Sequence, residues 1–179
     1  QVDDGPCVTY IGPGGSGHLV KTVHNGIEYG IEQILAEGYD LMKRVKGMSG
    51  EQMADVLAHW NASEELSSYL VEITEVCLRT KDPQDGADLV EKIVDQAGQK
   101  GTGLWTVVTA LKMGASVPTI YASLNGRVMS SLRQQRIKAE SVFKPLPIKD
   151  FDLGSIDDGM APLMDATVLS CIASYAQGM

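Results

Sequence analysis

The sequence predicts an all-α domain built around one long helix, with a short strand-like lead-in. Three observations carry that reading. From Val20 to Ile34 the apolar residues Val20, Val23, Ile27, Ile31 and Ile34 step by three and four, the spacing of one helix face. Stop and start signals follow: Gly47 suits a helix C-cap, and Ser49-Gly50-Glu51-Gln52 reads as a capping box, with Ser at N-cap and Gln at N3. After "CVTYIG" (Cys7 to Gly12), no further run has strand-like β-branched and aromatic content.

Taken in order, "CVTYIG" predicts a short strand and "PGGSG" breaks the chain. A helix then runs from Gly17 to about Lys46, more than roughly 40 Å at 1.5 Å per residue. The next helix carries Met53, Val56, Leu57 and Trp60 inward. A third spans Ser67 to Arg79, with Leu70, Ile73, Val76 and Cys77 inward. "TKDPQDGAD" is a turn, and a fourth helix covers Leu89 to about Ala97. "GQKGTG" is a loop. Further helices are expected from Trp105 to about Met113, from Pro118 to about Phe143, and from Met160 onward, with the acidic, proline-rich "KPLPIKDFDLGSIDDG" as loop between the last two. There is no internal repeat. Residues 1–16 read as lead-in and 17–179 as helical domain.

Composition narrows the function classes. A net charge of −8 argues against a nucleic-acid footprint, which needs a basic surface, though not against a small anionic ligand. Three well-separated cysteines without a CxxC predict neither a disulfide framework nor a metal centre, and fit a reducing cytoplasm. No apolar run reaches the roughly 18 residues of a membrane span, so no membrane partner is expected.

The long helix also carries Lys21, His24, Asn25 and Glu28. At about 100° per residue these fall within one arc of about 100° beside the apolar stripe. They form either a solvated helix face, which Glu32 extends, or the lining of a site. Gly26 and Gly30 lie on the apolar side, where each costs up to about 1 kcal/mol relative to Ala. They predict close approach of another backbone, and a deeply buried helix with such a row needs polar company for it. A lysine partly withdrawn from water suits a general base, and a nearby glutamate an acid.

"GHLVKTVHNGIEYG" resembles the signature of the 6-phosphogluconate dehydrogenase family. "CVTYIGPGGSGH" before it, "WNASEELSSYLVEIT", "GQKGTGLWT" and "SSLRQQRIKAES" after it, and "SYAQGM" at the end match in order over nearly the whole chain. The resemblance implies part of a C-terminal helical domain, with an N-terminal Rossmann domain and a C-terminal tail outside this sequence. It implies a homodimer that oxidatively decarboxylates 6-phosphogluconate to ribulose 5-phosphate with NADP. By the same resemblance, Lys21 is the general base and Glu28 the acid. His24 and Asn25 contact the sugar, and Tyr29 and Arg127 contact the phosphate. No G-x-G-x-x-G occurs, so no cofactor-binding residue is assigned here.

One departure stands out. Leu104 occupies the position where "KGTGKWT" would place a phosphate-binding lysine, which implies weaker or altered substrate preference. The missing tail and cofactor domain imply that the 179-residue piece alone is inactive. Two other readings remain at this level: a helical dimerisation module whose catalytic row is a relic, and a related β-hydroxyacid dehydrogenase acting on a non-phosphorylated acid.

Overall fold

The computed structural model describes residues 5–144 and 152–179. Seven α-helices form among them: α1 (Ser16–Lys46), α2 (Gly50–Asn61), α3 (Tyr69–Arg79), α4 (Thr102–Met113), α5 (Pro118–Ser131), α6 (Arg133–Val142) and α7 (Ala161–Gly178). Helix α1 is the spine, and α2, α4, α5 and α7 all pack on it.

Local chemistry sets the boundaries. Gly47 closes α1 in the left-handed conformation at φ 67°, its N–H donating to the Lys43 carbonyl. Lys43, Arg44 and Lys46 sit in the last turn, where cations complement the helix dipole. At the start of α2 the capping box is complete: Gln52 N–H donates to Ser49 Oγ, and Ser49 N–H donates to Gln52 Oε1 at 2.9 Å. Ser68 caps α3 through the Val71 N–H, and Pro118 opens α5.

Two apolar clusters hold the bundle. The larger joins the C-terminal half of α1 (Leu35, Met42) to Met53, Val56, Leu57 and Trp60 of α2, Val71 and Leu78 of α3, and Leu163 of α7. Trp60 is 1% exposed, and its indole N–H donates to the Gly159 carbonyl at 2.7 Å. The smaller joins Ile27 of α1 to Val107 of α4, Val117, and Ile120 and Leu124 of α5.

Several expectations change. "CVTYIG" joins no strand among the described residues, and Val8 and Tyr10 are exposed: strand-like composition needs a partner ladder, and none reaches it. The expected fourth helix is a single 3-10 turn, Leu89–Lys92, pinned by side chains. Lys92 pairs with Asp82 and Asp85, and Lys43 with Glu91. The helix expected from Pro118 to Phe143 breaks at Leu132, whose ψ of 36° leaves the helical region. In α3 the buried positions are Val71 and Leu78, while Val76 and Cys77 face outward. The loop expected over residues 144–159 lies partly outside the described residues. Helix α7 is inverted relative to a simple pattern: Thr167 and Ser174 are buried, and Leu169, Ile172 and Tyr175 are exposed.

Candidate functional site

The N-terminal half of α1 positions the polar row. Its glycines explain how. A Cβ on Gly26 would lie 2.6 Å from the Thr106 side chain of α4, so only glycine lets α4 seat here. Thr106 Oγ1 completes the contact by donating across the seam to the Thr22 carbonyl at 2.8 Å. Gly30 likewise accommodates Ser174 of α7. The close approach expected from the sequence is present, and it fixes the rotation of α1 about its axis.

That rotation puts the row on one side. Lys21 Nζ lies 3.1 Å from His24 Nδ1, which lies 3.3 Å from Asn25 Oδ1 and 3.9 Å from Glu28 Oε2. His24 Nδ1 either accepts from the Lys21 amine or donates to Asn25 Oδ1; one tautomer cannot do both. The amine and the carboxyl therefore share one surface, seven residues or roughly 10 Å apart along the axis.

The row is more open than the sequence reading required. Lys21 and His24 are exposed, and Asn25 and Glu28 are partly so. The low-dielectric setting that would favour a lysine base is not supplied by this chain. A cavity of about 690 Å³ lies beside the row and not in front of it. It is lined by Val20, Val23, Ile27 and Ile31 of α1 with Tyr69 and Tyr175, and meets the row only at His24 and Glu28. Its walls are too apolar to hold a sugar phosphate.

Tyr29 and Arg127, 98 positions apart in sequence, meet at the far end of the row. The Arg127 guanidinium stacks on the Tyr29 ring, 4.3 Å from its centroid. Its Nη1 donates to the Gly98 carbonyl at 2.7 Å, and its Nη2 pairs with Glu32. The other edge of Tyr29 rests on α4, where a Cβ on Gly103 would come within 2.7 Å of the ring. Burial raises the Glu32 carboxyl above its ordinary value, Arg127 opposes that, and Glu28 one turn earlier adds to it.

Three contributors were not singled out from the sequence. Glu32 looked like more solvated surface, but Arg127 reaches it from α5. Gly98, in the "GQKGTG" loop, ties that loop to Arg127 through its carbonyl. The sequence places Gly103 at the end of a loop, yet it lies in the first turn of α4 beneath Tyr29. Leu104 beside it is 44% exposed. No group of three or more His, Cys, Asp or Glu side chains suited to a metal occurs among the described residues, and no described helix is long and apolar enough to cross a membrane.

An all-helical domain whose spine carries a lysine, a histidine and a glutamate in register, ending at a stacked arginine, matches known proteins. The family model described as "6-phosphogluconate dehydrogenase, C-terminal domain" matches residues 17–179, and the chain belongs to that family. It is 52% identical over 180 residues to the decarboxylating 6-phosphogluconate dehydrogenase of Synechococcus elongatus, covering 100% of this chain and 38% of the relative. It is 43% identical to the Bacillus subtilis protein described as "6-phosphogluconate dehydrogenase, NADP(+)-dependent, decarboxylating", covering 99% and 38%. Among solved structures, Plasmodium falciparum 6-phosphogluconate dehydrogenase, described in apo form and with NADP+ and 6-phosphogluconate, superposes with TM-score 0.89 at 43% identity. That match covers 99% of this chain and 38% of the solved one. The chain thus spans well under half the length of these relatives.

Proposed function

We propose that this chain is the substrate-side domain of an NADP-dependent enzyme that oxidatively decarboxylates 6-phosphogluconate to ribulose 5-phosphate. The observation that carries the proposal is the single surface on α1 bearing Lys21, His24, Asn25 and Glu28, closed at one end by Arg127 on Tyr29. Among the described residues, the glycines from Gly12 to Gly17 lead into α1 without a preceding strand. The chain spans 38% of its Synechococcus relative, and this reading assigns the cofactor and the cover of the open row to the remainder of the protein.

The residues present divide proton and charge handling. Lys21 takes the proton of the sugar's 3-hydroxyl, NADP when bound would accept the hydride from the same carbon, and the protonated Lys21 stabilises charge on the resulting carbonyl oxygen as CO₂ leaves. Glu28, on the same surface, returns a proton to the enediol carbon. His24 and Asn25 orient the sugar hydroxyls. Arg127 grips the phosphate, a task suited to a planar fork of donors. The three cysteines are free, in keeping with a cytoplasmic enzyme. Assembly as a homodimer completes the reading.

The test uses the full-length protein with 6-phosphogluconate and NADP+, following NADPH and CO₂. Lys21→Met should lower kcat by about 10²–10⁴-fold, the usual contribution of a positioned base, with the fold intact. The 179-residue chain alone should produce no NADPH. A Lys21→Met enzyme with unchanged kcat would refute the assignment and leave the helical-module reading in its place.

A further inference from the structure

We infer that Glu32 is a positioning residue: it holds Arg127 flat against the Tyr29 ring and presents the remaining guanidinium donors to a phosphate. This rests on the reading of Arg127 as the phosphate contact.

A guanidinium has five N–H donors in a fixed fork. One on Nη1 is committed to the Gly98 carbonyl at 2.7 Å, and one on Nη2 to Glu32. Tyr29 covers one face of the plane. Three donors remain, and their directions are set because the plane is fixed by two hydrogen bonds and a stacking contact. Glu32 and Tyr29 come from α1, Arg127 from α5 and Gly98 from the loop before α4, so the arrangement is fixed by tertiary structure. Removing Glu32 leaves a long, flexible side chain that must be ordered when the ligand arrives, and that ordering weakens binding.

Geometry places Glu32 on Arg127, whose Nη2 donates to its carboxylate. Its half-buried carboxyl is raised above the ordinary glutamate value, with burial the largest cause. For an acid, a raised folded value means the neutral form is the one the fold favours. Ionisation as pH rises through that value removes stability. Arg127 opposes that shift without cancelling it.

The experiment compares Glu32→Ala, Glu32→Gln and Arg127→Ala in the full-length enzyme. It measures kcat and KM for 6-phosphogluconate, and competitive inhibition by inorganic phosphate. Glu32→Ala should raise KM about three- to tenfold, weaken phosphate inhibition by a similar factor, and leave kcat within about twofold. Glu32→Gln keeps an acceptor for Nη2 and should stay within about twofold of the parent in all three. If Glu32→Ala does not fold, Glu32→Asp, one methylene short of Nη2, carries the same expectation. Should Arg127→Ala raise KM while the Glu32 variants leave KM and phosphate inhibition unchanged, the positioning role is wrong and the phosphate site stands. Lower KM in both Glu32→Ala and Glu32→Gln would mean the carboxylate only repels substrate, which also overturns the inference. Unchanged KM in Arg127→Ala would remove the phosphate reading itself, and this inference with it.

Discussion

The two halves of α1 are built on opposite terms. From Leu35 to Met42 its inward side chains enter the larger core, where Met53, Val56, Leu57 and Trp60 are each at most 2% exposed. From Ser16 to Glu32 only one large apolar side chain, Ile27, is fully buried, and the helix is held instead by glycines under Thr106 and Ser174. The C-terminal half completes its own packing with α2 and α3. The N-terminal half keeps its polar groups open and leaves Leu19 and Val20 about half exposed. One continuous helix thus carries a packed anchor and an open polar surface, the one proposed above as the working site.

The largest test of that contrast falls on the anchor. Trp60→Ala removes a fully buried indole and leaves the Gly159 carbonyl without its donor. A loss of about 3–5 kcal/mol is expected, read from the denaturation midpoint. Well below that midpoint, kcat of the full-length enzyme should be unchanged, because Trp60 touches none of the row. A fall in kcat while the protein remains folded would show that the halves are coupled and that the contrast is false.

The anchor was also the more legible half. The Gly47 stop and the Ser49–Gln52 box are local signals, and each is present as read, because short-range backbone chemistry decides them. Tertiary effects account for what went astray. Leu89–Lys92 has helical composition but is held in a tight turn by ion pairs to Asp82, Asp85 and Lys43. Val76 and Cys77 follow helical periodicity, yet the partner of α3 is α2 on another side. In the site, Lys21, His24, Asn25 and Glu28 were legible as one row because helical geometry alone aligns them. The joining of Glu32, Tyr29, Gly98 and Gly103 around Arg127 was not, because it depends on how α4 and α5 dock.

A smaller effect sharpens the view of the working half. Gly103→Ala places a methyl 2.7 Å from the Tyr29 ring, and the ring, wedged under Arg127, has no free direction in which to yield. Overpacking of this kind costs about 1–3 kcal/mol. Because the strain falls on the platform of Arg127, KM for 6-phosphogluconate should rise while kcat changes little. A drop in melting temperature with KM unmoved would mean that Tyr29 is only packing.

The smallest effect is expected at Leu104. If a lysine here met a phosphate in a closed, dry site, restoring it would gain about 1.5–3 kcal/mol, or some ten- to a hundredfold in affinity. Leu104 is 44% exposed on this open half, however. A screened, exposed pair contributes about 0.2–1 kcal/mol. Leu104→Lys in the full-length enzyme should therefore lower KM by at most about fivefold. A tenfold or larger fall would mean that the assembled protein closes over position 104, making this end of the working surface as enclosed as the anchor. No change at all would mean that the leucine carries no deficit in phosphate recognition.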